Sequence, residues 1–150
     1  MKRRSILLVA PVVAAGACGG PPPPAVLNMT IKASSALNEN QAGTGLAVAV
    51  RLYGLNARGR FMTADAYALM DRDSVVLGDE GSRVEEIVVR PGETRNITIA
   101  PKTDVRFIGA VVLFRNIDQS QWRAIAPIAT TGVTRVVLAL GANSASLEAA

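Results

Sequence analysis

Apolar residues recur at every second position over much of this chain, in short runs broken by turn residues, which is the pattern of strands with one buried face. Leu27, Met29, Ile31 and Ala33 share one face, with Asn28, Thr30 and Lys32 on the other. Leu46, Val48, Val50 and Leu52 form a second set, with Arg51 and Tyr53 pointing the opposite way. Val84 to Val89 runs into the turn Arg90-Pro91-Gly92-Glu93, after which Ile97 and Ile99 read as the returning strand of a hairpin. Val105 to Phe114 is almost wholly apolar, so it is predicted to be a central strand covered on both faces. Trp122 to Ile128, Thr134 to Leu140 and a short Ala145 to Leu147 complete a set of strands at sandwich spacing.

Two segments break this rhythm. Thr63 to Met70 is rich in Ala, Leu and Met, starts at a good N-cap residue with Asp65 close behind, and predicts a short helix. Phe61, Tyr67 and Met70 are its candidate anchors, and covering a sheet edge is its expected task. The stretch from Ser34 to Gly45 joins two strands expected to be neighbours, yet is far longer than a hairpin needs. Leu37 is its sole large apolar residue. Long polar loops on rigid sheets often carry recognition, although composition alone leaves an idle excursion equally open.

The N-terminus says where the chain goes. Lys2, Arg3 and Arg4 precede a short apolar stretch, Ile6 to Ala14, and then Ala15-Gly16-Ala17-Cys18, the layout of a bacterial export signal. The stretch falls short of the roughly 20 residues that span a bilayer. Ala15 and Ala17 suit an ordinary signal-peptidase site, but followed by Cys18 they also form a lipobox, although Leu is more usual where Ala15 stands. Cys18 is the only cysteine, so an exported chain has no internal disulfide to form, and acylation would remove an exposed thiol. Gly19 stands where an aspartate would signal inner-membrane retention. Pro21 to Pro24 then forms an extended tether of roughly 10 to 20 Å. The expected organisation is a signal peptide over 1–17, the lipidated Cys18 and tether over 18–25, and one sandwich domain over 26–150.

Charge and chemistry narrow the function. Three of the sixteen basic residues lie in the signal, leaving thirteen against twelve acidic residues and a mature net charge of +1. That balance gives no reason to infer a basic face for nucleic acid or anionic lipid. There is no histidine, which excludes a Ser-His-Asp triad, a Cys-His pair and imidazole metal ligation. Asp71-x-Asp73 and Asp79-Glu80 are the remaining acid-base candidates. They read as solvated loop carboxylates beside Gly78 and Gly81, and no loop of EF-hand spacing joins Asp71, Asp73 and Asp79 into a calcium site. Lys32 and Lys102, the lysines outside the signal, have no Ser-x-x-Lys pattern. Asn28 and Asn96 head glycosylation triplets that an exported bacterial lipoprotein would not normally use. No catalytic residue, cofactor or metal is predicted. A generic sandwich lipoprotein, acting as a pilotin or lipid-binding module, would need an exposed apolar groove that the alternation does not show.

The ordered set of pieces resembles the outer-membrane lipoprotein of the type VI secretion system, the TssJ family, also called SciN or VasD. The matching residues are the signal ending in Cys18, Ala36-Leu37-Asn38 after the first strand, and Val50-Arg51-Leu52-Tyr53-Gly54-Leu55 in the second. Phe61, Ala64-Asp65-Ala66-Tyr67-Ala68-Leu69, Leu77-Gly78 and Arg90-Pro91-Gly92 follow, and then Ile108 to Arg115 with Trp122-Arg123. Gly54, Glu39 and Phe114 depart from the family's usual Gln, Pro and Tyr. The resemblance implies an all-β, transthyretin-like sandwich of two antiparallel sheets with a short helical addition. It also implies a non-enzymatic scaffold, held on the periplasmic face of the outer membrane by palmitate and other acyl chains on Cys18. In that family the loop between the first two strands docks the periplasmic C-terminal region of the inner-membrane protein TssM. Carried over, the docking residues are Ser35, Ala36, Leu37, Asn38, Glu39, Asn40, Gln41, Ala42 and Gly43, with Leu37 the expected anchor and Asn38 its neighbour.

Overall fold

The computed structural model describes residues 19–150 together with Pro11 and Gly16; Cys18 and the rest of the expected signal lie outside the described residues. Eight strands form: β1 Val26–Ala33, β2 Val48–Leu55, β3 Gly81–Val89, β4 Thr94–Ile99, β5 Phe107–Val112, β6 Arg123–Pro127, β7 Val133–Leu140 and β8 Ala145–Ala149. They make two four-stranded sheets, ordered β4-β1-β7-β8 and β3-β2-β5-β6. All neighbours pair antiparallel except β1 and β7, which run parallel. The expected sandwich therefore forms, with one parallel pair inside its first sheet.

Two expected pairings do not occur. β1 and β2 lie in different sheets, and so do β3 and β4, so neither connection closes a hairpin. Period-two alternation states only that a strand has one buried face, and a facing sheet satisfies that as well as a neighbour does. Arg90 to Glu93 is still a tight turn: the Glu93 N–H donates to the Arg90 carbonyl at 3.1 Å, and Gly92 takes a φ of 74°.

The core is built as the alternation predicts. Leu27, Met29 and Ile31 of β1 and Val136, Leu138 and Leu140 of β7 face Val48, Val50 and Leu52 of β2 and Ile108, Ala110 and Val112 of β5. On the solvent side of the first sheet, Thr30 donates to Asn96 at 2.9 Å and Thr98 to Asn28 at 3.1 Å. The two asparagines of the glycosylation triplets are thus half of a cross-strand polar ladder.

The helical addition covers a face of the second sheet rather than an edge. Helix α1 spans Gly59–Thr63 and α2 spans Ala66–Leu77; Asp65, not Thr63, is the N-cap of α2, accepting from the Ala68 N–H at 2.8 Å. Phe61, Leu69 and Leu77 bury onto Tyr53, Leu55 and Val111, forming a second core behind the sheet. β5 is covered on both faces, as its sequence predicts. Gly109 is required there, because a Cβ on it would stand 2.7 Å from the Phe61 ring. Tyr67 is not an anchor: it is about half exposed and its hydroxyl meets the Asp118 carboxylate at 3.1 Å.

Two arginines fasten this layer. The Arg51 guanidinium donates to the Met70 carbonyl at 2.9 Å, just ahead of Arg72, where α2 departs from helical geometry. Arg123 donates to the carbonyls of Phe61 and Ala64 at 2.9 and 2.6 Å, at the end of α1, and stacks over the Trp122 ring at 4.5 Å. Burial lowers the Arg123 pKa, as expected for a cation drawn under a helix.

Candidate partner-docking site

The Ser34 to Gly45 connection crosses from one sheet to the other, which accounts for its length. Its first part is built into the fold. Leu37 is fully buried in the inter-sheet core, so it is not the exposed anchor expected from the sequence. Asn38 is the one buried polar residue among those described, with a left-handed φ of 49° that asparagine tolerates better than most side chains. Its amide donates to the Ala47 carbonyl at 3.2 Å and accepts from the Arg115 N–H at 2.8 Å. The Arg115 guanidinium returns to the Glu39 carbonyl at 3.3 Å. Leu37 and Asn38 therefore clamp the base of the loop, and the exposed residues lie beyond them.

Beyond the clamp the chain forms a closed tip. The Asn40 side-chain oxygen accepts from the N–H groups of Ala42 and Thr44, both at 3.0 Å, while the Asn40 N–H donates to the Thr44 carbonyl at 2.9 Å. Gly43 supplies the positive φ, 77°, that the reversal needs. Ser35, Glu39, Gln41, Ala42, Gly43 and Thr44 are exposed, and Ala36 and Asn40 half-buried. The tip is thus organised locally, by the Asn40 side chain and its own backbone.

Neighbouring loops support it. The Gly92 N–H donates to the Ser34 carbonyl at 3.1 Å, and the Ala33 N–H to the Glu93 carbonyl at 2.9 Å. The Arg90 N–H, then the Arg95 guanidinium, hold the Glu93 carboxyl below the usual carboxylate range. Arg115, Asn116 and Asn143 join Asn38, Glu39 and Asn40 around a polar cleft of about 240 Å³. The sequence analysis missed these flanking residues, since sequence distance hides their approach. The unusual Asn after an apolar residue at Leu37-Asn38 was the available signal for the clamp.

The candidate carboxylates are not assembled into a site. Asp71 and Asp73 lie on α2 and not in a loop. Asp73 accepts from the Tyr53 hydroxyl at 2.9 Å and lies 3.7 Å from Arg83; Asp79 pairs with Arg60 at 3.3 Å. Among the described residues no three potential metal ligands converge.

Residues 25–143 match the family profile described as type VI secretion lipoprotein, VasD, EvfM, TssJ. No curated protein matches the chain significantly. Among solved structures, the type VI lipoprotein TssJ1 of Pseudomonas aeruginosa superposes with a TM-score of 0.81 at 29% identity, covering 85% of this chain and 98% of that one. A chain in the structure of the TssM C-terminal domain (869–1107) from EAEC gives 0.70 at 25% identity, covering 83% and 98%. A chain in a type VI membrane complex gives 0.71 at 25% identity, covering 83% and 97%. The chain belongs to the type VI secretion lipoprotein family.

Proposed function

We propose that this protein is a non-catalytic anchor of the type VI secretion membrane complex, joining the periplasmic C-terminal domain of TssM to the periplasmic face of the outer membrane. One observation carries the reading: the tether and the loop leave opposite ends of the same strand. β1 begins at Val26, directly after the tether, and ends at Ala33, directly before the loop. Its eight residues separate the two by roughly 25 Å. An acylated Cys18 on one side and the closed tip Glu39 to Gly43 on the other make a bridge between a bilayer and a periplasmic partner. Chains that superpose over 83% of this one occur in structures of the TssM C-terminal domain and of a type VI membrane complex, which supports that choice of partner. The absence of histidine and the engagement of Asp73 and Asp79 in structural pairs support a scaffold rather than an enzyme.

The anchor half is tested by Cys18→Ser in cells. The variant should leave the outer-membrane fraction for the soluble periplasm with its thermal unfolding unchanged, because every core residue lies within the segment 25–150. Retention in the outer membrane would refute a lipid anchor at Cys18.

A further inference from the structure

We propose that the pole from which the tether leaves rests on the bilayer through a cationic rim, Arg58, Lys102 and Arg106, that takes anionic phospholipid headgroups. This rests on the reading of Cys18 as the acylated residue. The tether is shorter than its proline run suggests. The Gly132 N–H donates to the Pro23 carbonyl at 3.3 Å, the Val26 N–H to the Gly132 carbonyl at 2.8 Å, and Pro24 bridges to Thr131. The chain is therefore fixed to the domain from Pro23 onward, so the span from the expected acylation site at Cys18 to Pro23 is at most roughly 15 Å. A headgroup layer occupies about 5 to 8 Å of that. The side chains around Pro23 are thereby kept within about 10 Å of the headgroups, inside the range over which surface charge acts.

Three of the exposed side chains at this pole are positively charged. The Arg106 backbone is sewn into this pole, its N–H donating to the Leu55 carbonyl at 2.7 Å and its carbonyl accepting from the Ile128 N–H at 2.9 Å, while its side chain stays exposed. Arg58, just past the end of β2, lies with its guanidinium 5.9 Å from the centre of the Phe107 ring. Lys102 opens the turn whose carbonyl accepts from the Val105 N–H at 3.1 Å. All three are exposed, and among the described residues none lies within ion-pair distance of a carboxylate. Other arginines are engaged: Arg60 with Asp79 and Glu80, Arg83 with Glu86, Arg95 with Glu93. Three acids share this pole: Asp79 and Asp104 line one cleft with Lys102, and Glu80 lies beside Gly59, but Asp79 and Glu80 are paired with Arg60, which leaves Asp104 as the acid without an ion-pair partner among the described residues. Long side chains ending in an ammonium and two guanidinium forks suit phosphate oxygens.

Two measurements decide it. The mature chain carrying Cys18→Ser, which cannot be acylated there, is sedimented with vesicles of phosphatidylethanolamine and phosphatidylglycerol or of phosphatidylcholine alone. Each cation near an anionic surface contributes about fivefold in partitioning, so three give on the order of 100-fold. Retention should occur on the phosphatidylglycerol vesicles only, fall as salt rises, and drop by about that factor in the Arg58→Gln, Lys102→Gln, Arg106→Gln variant, but hardly in Lys32→Gln. Equal partitioning on both vesicles, or an unmoved triple variant, would overturn the proposal. In the acylated full chain, a fluorophore on Thr103→Cys should be quenched by headgroup-labelled lipid, and one on Gln41→Cys should not. The reverse pattern would also overturn it. Failure of the anchor reading is seen separately, as a full chain carrying no acyl mass on Cys18, and the sedimentation result stands without it.

Discussion

At the scale of single residues, the loop divides into side chains that build it and side chains that are free. Leu37→Ala should cost about 2 to 5 kcal/mol, since it empties a fully buried core position. Asn38→Ala removes two hydrogen bonds and leaves a left-handed backbone without a suitable residue, a cost of about 2 to 4 kcal/mol. Asn38→Gly should recover the backbone part of that loss, and urea unfolding of the three variants would show it. Tyr53 provides a pH test behind the sheet. Burial, then its hydrogen bond to Asp73, raises its pKa to about 12 from 10.0. The folded state thus favours the neutral phenol, and the associated stability is fully present below pH 10 and lost as pH rises through about 12. A spectrophotometric titration should show a late phase near pH 12 that Tyr53→Phe removes, and alkaline unfolding of the wild type should accompany it.

At the scale of elements, what was legible in the sequence and what was not have separate physical causes. Strand positions and buried faces follow from alternation, so β1, β5 and β7 form where the pattern places them. Sheet membership does not, because a buried face is indifferent to whether its strand crosses to the facing sheet; that is why both hairpins were misjudged. The Ala, Leu and Met run ends at Met70 and the polar Asp71 to Asp73 reads as loop, whereas α2 continues to Leu77; Thr63 has the propensity of a cap, but Asp65, two residues on, caps α2. Residues quoted for the family resemblance, Arg51, Tyr53, Phe61, Leu69 and Arg123, prove to be those that fasten the helical layer to the sheet. A motif of this kind reports packing. The crossing also sets a test at this scale. Replacing Ala36 to Gly43 with Asn-Gly removes Leu37 and Asn38 and the span between sheets, so the protein should lose its near-ultraviolet circular dichroism and cooperative melting. A folded, cooperatively melting product would contradict the assignment of β1 and β2 to different sheets.

At the scale of the whole molecule, the proposed function asks the sandwich to hold a lipid at one pole and a partner at the other. The core between the sheets joins the two poles, and β1, flanked by β4 and β7, runs from one to the other. On the proposed function, partner binding belongs to the exposed tip and not to the buried Leu37. The direct measurement is a calorimetric titration of the TssM C-terminal domain into the mature Cys18→Ser chain, with and without Gln41→Arg and Ala42→Arg. Both side chains are exposed, so the variant should unfold as the parent does. Binding should weaken on the order of 100-fold, the effect of losing a contact worth about 2.7 kcal/mol at an interface centre. Unaltered affinity in the folded variant would contradict the claim that the tip between β1 and β2 is where the partner docks.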